Sequence, residues 1–542
     1  MAEVPVLIVG GGPIGLSAAI LLASHGVPSL LVERHPATTD HPKARGLNIR
    51  TMELFRQWGV EEAVRKHSLP PEAWRFIWCT TVAGEEIGRV EDRDDAVLTK
   101  SPTSRCLVAQ DAVEAELRAV AEAKPLVDLR FSTELRSFVQ DDSGVTGTIA
   151  DLKGGSGETV RAEYVIAADG AASRVRQALG IEMQGPAALA HMLNIHFRAD
   201  LTRWFAHRPC VGFFFAAPEL VGGSILAVNG TDRWLSLFRY DPEAGDTPED
   251  FTTGRCIEVV RGGVGVPDLD VEVINTLPWT MTAQVAERFR EGRVFLAGDA
   301  AHRFTPAGGF GMNNGIQDVH NLAWKLAAVL NGCASPSLLD TYEAERRPVA
   351  QSNTSWSLNN AVRIGAIYSA IQSQDLDKMK AQIEGQKDHI AAEGQDLGFW
   401  YESAAVIPDG SEAPLTVPSE YLPTSRPGSR APHAWLERKG RRVSTLDLLD
   451  RGFTLLAGPA GQPWRDAARS VARSTSIPLE AYCVGPDRDL ADPSGEWLTT
   501  YEIDDDGAVL IRPDGHVAWR SRAGLTEPRR TLDSVMRTVL CR

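Results

Sequence analysis

Three short runs of the chain place glycines and a carboxylate at the end of a buried apolar segment. The first is Gly10-Gly11-Gly12-Pro13-Ile14-Gly15 with Glu33 further on, the second Asp169-Gly170 and the third Gly298-Asp299. In the first, Gly10-x-Gly12-x-x-Gly15 follows the strand-like run Val4–Val9 and opens a helix over Ile14–Ser24, with Gly26 past its end as a cap. Such glycines let backbone approach a pyrophosphate, whose charge the helix N-terminus offsets. Glu33 lies 18 residues after Gly15, at the end of a second apolar strand, Ser29–Val32, and can accept a hydrogen bond from a ribose hydroxyl. Strand, turn, helix, strand and terminal acid stand in the order a dinucleotide requires. Gly262-Gly263-Val264-Gly265 lacks that context and reads as a turn, so one dinucleotide fold is present and a reductase built on two is disfavoured.

The third run begins with a short buried strand, Val294–Ala297, and passes through a loop centred on Pro306 that contains Gly308, Gly309 and Gly311. Beyond Asn313 and Asn314, apolar residues at Ile316, Val319, Ala323, Leu326, Ala327 and Leu330 predict a helix. Its first N–H groups are unpaired and suit an anionic group, a phosphate or the N1–C2=O edge of a reduced flavin. An ordinary strand–helix corner has the same pattern; the company of the other two runs is what points to a cofactor. Asp169-Gly170 repeats the theme, with the apolar strand Tyr164–Ala168 before it and a short helix after. Arg45, in the loop His41–Arg50, could pair with the pyrophosphate or stand solvated.

At 542 residues the chain exceeds a single core, and two or three domains are expected. The net charge, 56 − 71 = −15, argues against a nucleic-acid partner. Seven scattered cysteines without a CxxC pair fit a reducing cytoplasm, and neither a disulfide framework nor a metal site. The apolar stretch Ile14–Val32 is broken by Ser17, Ser24, His25, Gly26 and Pro28 with no basic region before it, so no signal peptide or membrane span is expected there.

The remaining elements frame these runs. Trp74, Phe76 and Trp78 alternate as one face of a strand, Arg105–Leu117 reads as a strand end and a helix with Gln110 near its start, and 126–166 reads as a β-meander. Strands follow at Leu193–Ala199, Val211–Ala216, Gly223–Ala227, Trp234–Tyr240 and Val271–Pro278. Residues 349–400 continue helically, and a proline-rich stretch near 408–432 leads to a final β-α-β-β-β-α order.

Taken together, the glycine run, Asp169-Gly170 and Gly298-Asp299-Ala300-Ala301-His302 resemble the single-component flavoprotein aromatic hydroxylases of the para-hydroxybenzoate hydroxylase fold. Asn321-Leu322-Ala323-Trp324-Lys325-Leu326 and Leu338-Leu339-Asp340-Thr341-Tyr342-Glu343-x-Glu345-Arg346-Arg347-Pro348 strengthen the likeness, which spans the whole chain and lies nearest the bacterial enzymes that act on aromatic polyketides or substituted phenols. The resemblance implies an α/β fold. A Rossmann-like FAD-binding domain (1–180 and 284–400) would be interleaved with a mostly antiparallel substrate sheet (181–283, with help from 76–104). A segment 401–432 would link these to a thioredoxin-like domain (433–542) whose Gly458–Trp464 loop carries no cysteine.

It further implies noncovalent FAD, with NAD(P)H and O₂ as co-substrates, a monomer or homodimer, and hydroxylation through a C4a-hydroperoxyflavin. Gly10, Gly12, Pro13 and Gly15 would hold the pyrophosphate and Glu33, with Arg34 beside it, the adenosine ribose. Arg45 and Gln110 would meet the phosphate–ribitol portion, Asp169-Gly170 both FAD and the transient NAD(P)H, and Gly298-Asp299 the ribitol. Backbone at Gly311-Met312-Asn313 would meet the isoalloxazine, beneath a water-excluding loop formed by Pro306, Gly308 and Gly309. Thr305 stands where many relatives carry a second proline. Phe213, Phe215, Trp234, Phe238 and Trp279 are candidate cavity residues, with core packing the favoured role for each; His191, His196, Arg239 and Tyr240 could meet a polar substrate group, and no base is evident. Baeyer–Villiger insertion, epoxidation, and a flavoprotein that sequesters a labile intermediate are the alternatives, while a halogenase is disfavoured by the absence of Trp-x-Trp-x-x-Pro.

Overall fold

A computed structural model describes residues 2–91, 97–155, 157–220, 222–449, 451–475 and 477–542. Its first sheet runs in the order Arg290–Glu291, Val294–Leu296, Gly157–Ala167, Ala2–Val9, Ser29–Glu33, Val127–Phe131. All neighbours but the first pair are parallel. The core strands are apolar throughout because helices cover the sheet, as parallel pairing demands. The helices Pro13–Ser24 and Phe310–Leu330 pack together here. Gly315 permits their approach: a Cβ there would lie 2.5 Å from the Ile14 side chain.

The expected meander is divided between two jobs. Thr133–Asp141 and Gly144–Asp151 form an antiparallel hairpin on Gly157–Ala167, but Val127–Phe131 pairs in parallel with Ser29–Glu33 at the sheet edge. The segment Gly154-Gly155-Ser156-Gly157, expected from its sequence as a turn between strands, includes Ser156, which lies outside the described residues.

A second sheet has the order Glu272–Met281, Ala190–Arg198, Arg233–Tyr240, Ser224–Ala227, Gly212–Phe215, Arg75–Cys79, Glu86–Glu91. It is antiparallel except where Gly212–Phe215 meets Arg75–Cys79. One face packs Phe213, Phe215, Ile225 and Trp234 against the helix Thr253–Val264. That helix corrects the turn expected at Gly262–Gly265. Gly262 and Gly263 lie inside its last turn, Gly263 under Phe215 (a Cβ would stand 2.7 Å from the ring), and only Gly265 leaves the helix, at φ +80°. Gly263 and Gly265 are small for close packing and Gly262 is not, a difference that composition alone does not separate from a turn.

The long helix Thr341–Gln372 crosses the open face of this sheet, followed by the shorter Leu376–Glu384 and Glu393–Leu397. Residues 401–432 hold only isolated bridges, yet Tyr401, Tyr421 and Arg430 are buried. In the C-terminal unit, Phe453–Ala457 pairs in parallel with Leu479–Cys483 and antiparallel with Ala508–Ile511, which pairs with Val517–Ser521. Helices Gln462–Thr475 and Pro528–Val539 pack together and share one core with this sheet. All four expected strands are present; a short helix, Trp497–Tyr501, is added between the second and third and contributes Trp497 and Tyr501 to a second core. Among the described residues no helix is long and apolar enough to cross a membrane.

Buried charge joins this unit to the rest. Glu345 accepts hydrogen bonds from Arg512 (2.6 and 2.8 Å) and Lys325 (2.6 Å), and Glu53 pairs with Arg50 and Arg430, all at the molecule's interior. Burial pushes the Glu345 carboxyl up, but Arg512 and Lys325 outweigh it and hold the group well below the usual range.

Candidate active site

The ends of the strands Ala2–Val9, Ser29–Glu33, Gly157–Ala167 and Val294–Leu296 lie side by side, so all three glycine–acid runs open into one place. This is the carboxyl edge of a parallel sheet, where open α/β folds bind ligands. Gly10 adopts φ +109° and a Cβ would stand 2.3 Å from the Ala168 carbonyl oxygen; at Gly15 it would stand 1.9 Å from the Gly10 oxygen. At Gly12, by contrast, a Cβ would meet only Glu114 Oε1, at 4.0 Å. Glu33 accepts from the Gly11 N–H (2.6 Å) and the His35 N–H (2.8 Å), with Arg34 exposed at the rim. Gln110 accepts from the Ala44 N–H (3.3 Å) and donates to Glu114 (2.7 Å), which also accepts from the Thr39 N–H (2.8 Å). Glu114 was not anticipated. It lies four residues after Gln110 on the same helix face, and burial raises its carboxyl.

Three charged groups line this groove, and two of them, Arg45 and Asp169, carry buried atoms without a partner. The Arg45 guanidinium is sunk in the wall with Nε and Nη1 unpartnered, and burial brings it down to about 9. Asp169 accepts from the Val175 N–H (3.2 Å), leaving Oδ1 buried without a donor, and burial raises it. Asp299 stands in the tight turn Gly298–Ala300; its carboxylate opens into the cavity, and the surrounding protein raises it.

The helix expected beyond Asn314 starts earlier, at Phe310, because Gly309 takes a left-handed conformation (φ +69°) as its N-cap. The backbone of Gly311, Met312 and Asn313 therefore belongs to the first turn, which lines the cavity. The Asn313 side chain points away into structure: it donates to the Gly46 and Gly309 carbonyls (2.8 and 2.7 Å) and accepts from the Asn48 N–H (3.0 Å). Thr305 donates to the Ser357 carbonyl at 2.8 Å, a tether that a proline could not make.

From the groove the cavity extends, without a break, between the second sheet and the long helix, to a total of about 2070 Å³. Its aromatic wall is a stack of Phe76, Phe214 and Trp78, with centroids 5.7 and 5.3 Å apart. Leu226, Leu235, Leu237, Trp279 and, from the long helix, Ile364 and Tyr368 complete it. Of the aromatic candidates only Trp279 lines the cavity. Phe213, Phe215 and Trp234 are in the core behind the sheet, and Phe238 packs on Phe251, because strand parity puts their neighbours Phe214, Leu235 and Leu237 forward instead. His191 and Arg239 reach the cavity, while His196 and Tyr240 do not.

The family described as an FAD binding domain matches residues 3–357, and that described as the C-terminal part of aromatic-ring hydroxylases matches residues 424–542. The chain belongs to the FAD-dependent aromatic-ring hydroxylases. It is a flavoprotein monooxygenase. Relatives include a 4-methyl-5-nitrocatechol 5-monooxygenase of Burkholderia sp, 40% identical over 100% of this chain and 98% of that one. A tetracenomycin B2 monooxygenase-dioxygenase of Streptomyces olivaceus is 41% identical, over 100% and 99%. Among solved structures, the flavin-dependent monooxygenase PieE in complex with FAD and substrate superposes with a TM-score of 0.93 at 37% identity, covering 99% of each chain.

The residues present suit this cofactor. Gly10 and Gly15 leave no room for a side chain, Gly12 opens toward the groove, and Arg45 offers two buried N–H donors with no acceptor of the protein's own.

Proposed function

We propose that the chain hydroxylates a planar, polycyclic phenolic substrate, using FAD, NAD(P)H and O₂. The observation that carries this is the single cavity of about 2070 Å³, running from the strand ends to the Phe76–Phe214–Trp78 stack. Bound flavin supplies the redox chemistry, accepting electrons from NAD(P)H and activating O₂ for transfer of one oxygen atom to the ring.

The protein supplies position and dryness. Gly12 and the helix Pro13–Ser24 would receive the diphosphate, with Arg45 pairing its charge, and Glu33 the adenosine ribose. Asp299 would hold the ribityl chain, and the N–H groups of Gly311 and Met312 the electron-rich edge of the ring. Asp169-Gly170, at the mouth beside Ala171 and Arg174, would serve FAD and the visiting NAD(P)H. The loop Pro306–Gly309 would exclude water during oxygen transfer. The aromatic stack presents flat faces to a flat substrate. The C-terminal unit, read as a thioredoxin-like fold without a redox pair, would support the FAD-binding part through Arg512 and Arg430. Seven free cysteines support a reducing compartment.

The purified protein should show a flavin absorption spectrum, and a polycyclic phenol should accelerate its NADPH oxidation and emerge one oxygen atom heavier. Flavin-bound protein whose NAD(P)H oxidation no phenol stimulates would contradict the proposal, and product analysis would separate ring hydroxylation from Baeyer–Villiger insertion or epoxidation.

A further inference from the structure

One carboxylate outside the cavity wall ties together both sides of the groove. Asp318 is fully buried on the helix Phe310–Leu330. Its Oδ2 accepts from the Gly298 N–H (3.1 Å) and meets His302 Nε2 (2.6 Å), while its Oδ1 accepts from Arg346 Nε (2.8 Å). The Arg346 guanidinium, also fully buried, donates through Nη2 to the Asn314 carbonyl (3.3 Å) and side-chain oxygen, one turn beyond the helix start. Its Nη1 donates to the Tyr401 hydroxyl at 3.1 Å. Neither Asp318 nor Arg346 lines the cavity.

The Gly298-Asp299 corner is tied to the helix by the Gly298–Asp318 hydrogen bond, and Arg346 clamps Asp318 to Asn314, one turn closer to the helix start. Tyr401 in turn stacks on His516 with centroids 4.1 Å apart and lies beneath the Arg512 guanidinium, 5.4 Å from its ring centre. Both residues belong to the C-terminal unit, so its seating is carried to the groove through Tyr401, Arg346 and Asp318.

The corner and the helix act on a flavin in opposite senses. The helix start presents about half a positive charge, effective only within its first turn, whereas Asp299 presents a carboxylate. Reduction makes the ring system more electron-rich, so its relative affinity depends on where these two are held. We propose that Arg346, braced by Tyr401, is a positioning residue that fixes the Gly298-Asp299 corner against the helix Phe310–Leu330 and thereby sets how much more tightly the site holds reduced than oxidised flavin. This rests on the FAD site proposed above.

The test is the midpoint potential of bound flavin, measured by anaerobic dye equilibration without NAD(P)H, in holoenzyme of the wild type, Arg346→Met, Arg346→Lys and Tyr401→Phe. Thermal unfolding is followed in parallel. Arg346→Met should weaken the preference for reduced flavin about tenfold, equivalent to a potential lower by about 30 mV for a two-electron couple. Tyr401→Phe should lower it in the same direction by a smaller amount, and Arg346→Lys should recover part of the Arg346→Met loss. Potentials equal to wild type in Tyr401→Phe and Arg346→Met, whatever their melting temperatures, would overturn the proposal and leave the pair a purely structural one. Should Arg346→Met not fold, Tyr401→Phe decides, since it removes a single hydroxyl. Wild-type protein without bound flavin would overturn this inference together with the FAD site; wild type that binds flavin but hydroxylates nothing would count only against the proposed reaction.

Discussion

Arg45→Met should strengthen the empty protein and weaken its hold on FAD. In the absence of ligand, Arg45 keeps Nε and Nη1 buried with no acceptor, and burial lowers its guanidinium to about 9. A buried unsatisfied polar group costs about 1–3 kcal/mol, and more when charged. Methionine keeps much of the apolar stem and fills the same wall without the unpaired donors. Apoprotein carrying the substitution should therefore gain about 1–3 kcal/mol in urea unfolding. With FAD the sign reverses, because a hydrogen bond to a charged group contributes about 1.5–3 kcal/mol. At about 1.4 kcal/mol per factor of ten, the dissociation constant should rise roughly ten- to a hundred-fold, read from quenching of flavin fluorescence on titration into apoprotein. The melting temperatures of the two proteins should cross: the variant higher without FAD, lower with it. Apoprotein that loses stability while FAD affinity stays unchanged would refute the reasoning and make Arg45 a structural residue.

Three further outcomes follow from the same geometry. Burial lowers His41 and brings His196 and His433 down to about 4, so each is neutral in the folded state where the unfolded chain would be protonated. Stability should accordingly be level above the ordinary histidine value of about 6.5 and decline as pH falls from there toward 4, with His433→Asn reducing the slope of unfolding free energy against pH. Leu237→Trp, on the cavity face, should raise KM for a polycyclic substrate more than for a single-ring phenol; Trp234→Ala, behind the sheet, should cost about 3–5 kcal/mol of stability without changing that preference. A Cβ at Gly309 meets nothing within 4 Å, so Gly309→Ala adds only the strain of φ +69° to the loop. Rapid-reaction kinetics should show flavin reduction by NAD(P)H slowed several-fold with FAD affinity almost unchanged, and an equal loss in both would argue against a moving loop.

Much of the groove at the strand ends was legible because its sequence signals are local. A backbone that must approach a diphosphate needs glycine at fixed spacings, and an acid at a strand end needs only the strand's apolar run to be recognised, so Gly10, Gly12, Gly15, Glu33, Asp169 and Asp299 could be singled out one run at a time. Family likeness then supplied Arg45 and Gln110, whose positions alone left their roles open. The substrate sheet was found strand by strand, but which face of each strand meets the cavity depends on a parity set by the opposing helix, and so Phe214 was passed over for Phe213 and Phe215.

What the linear order determines, then, is the set of strand ends and the turns after them, since these depend on residues within a few positions of one another. Tertiary structure alone decides that the three acidic ends lie side by side, that Glu114 backs Gln110, and that Asp318, on a helix face it shares with Asn314, Asn321 and Lys325, meets Arg346 28 residues later. The Arg430–Glu53 and Arg512–Glu345 pairs, 377 and 167 residues apart, were beyond reach for the same reason. Buried charge is tolerated only when a partner arrives with good geometry, and the identity of that partner is fixed by packing between distant segments rather than by spacing along the chain.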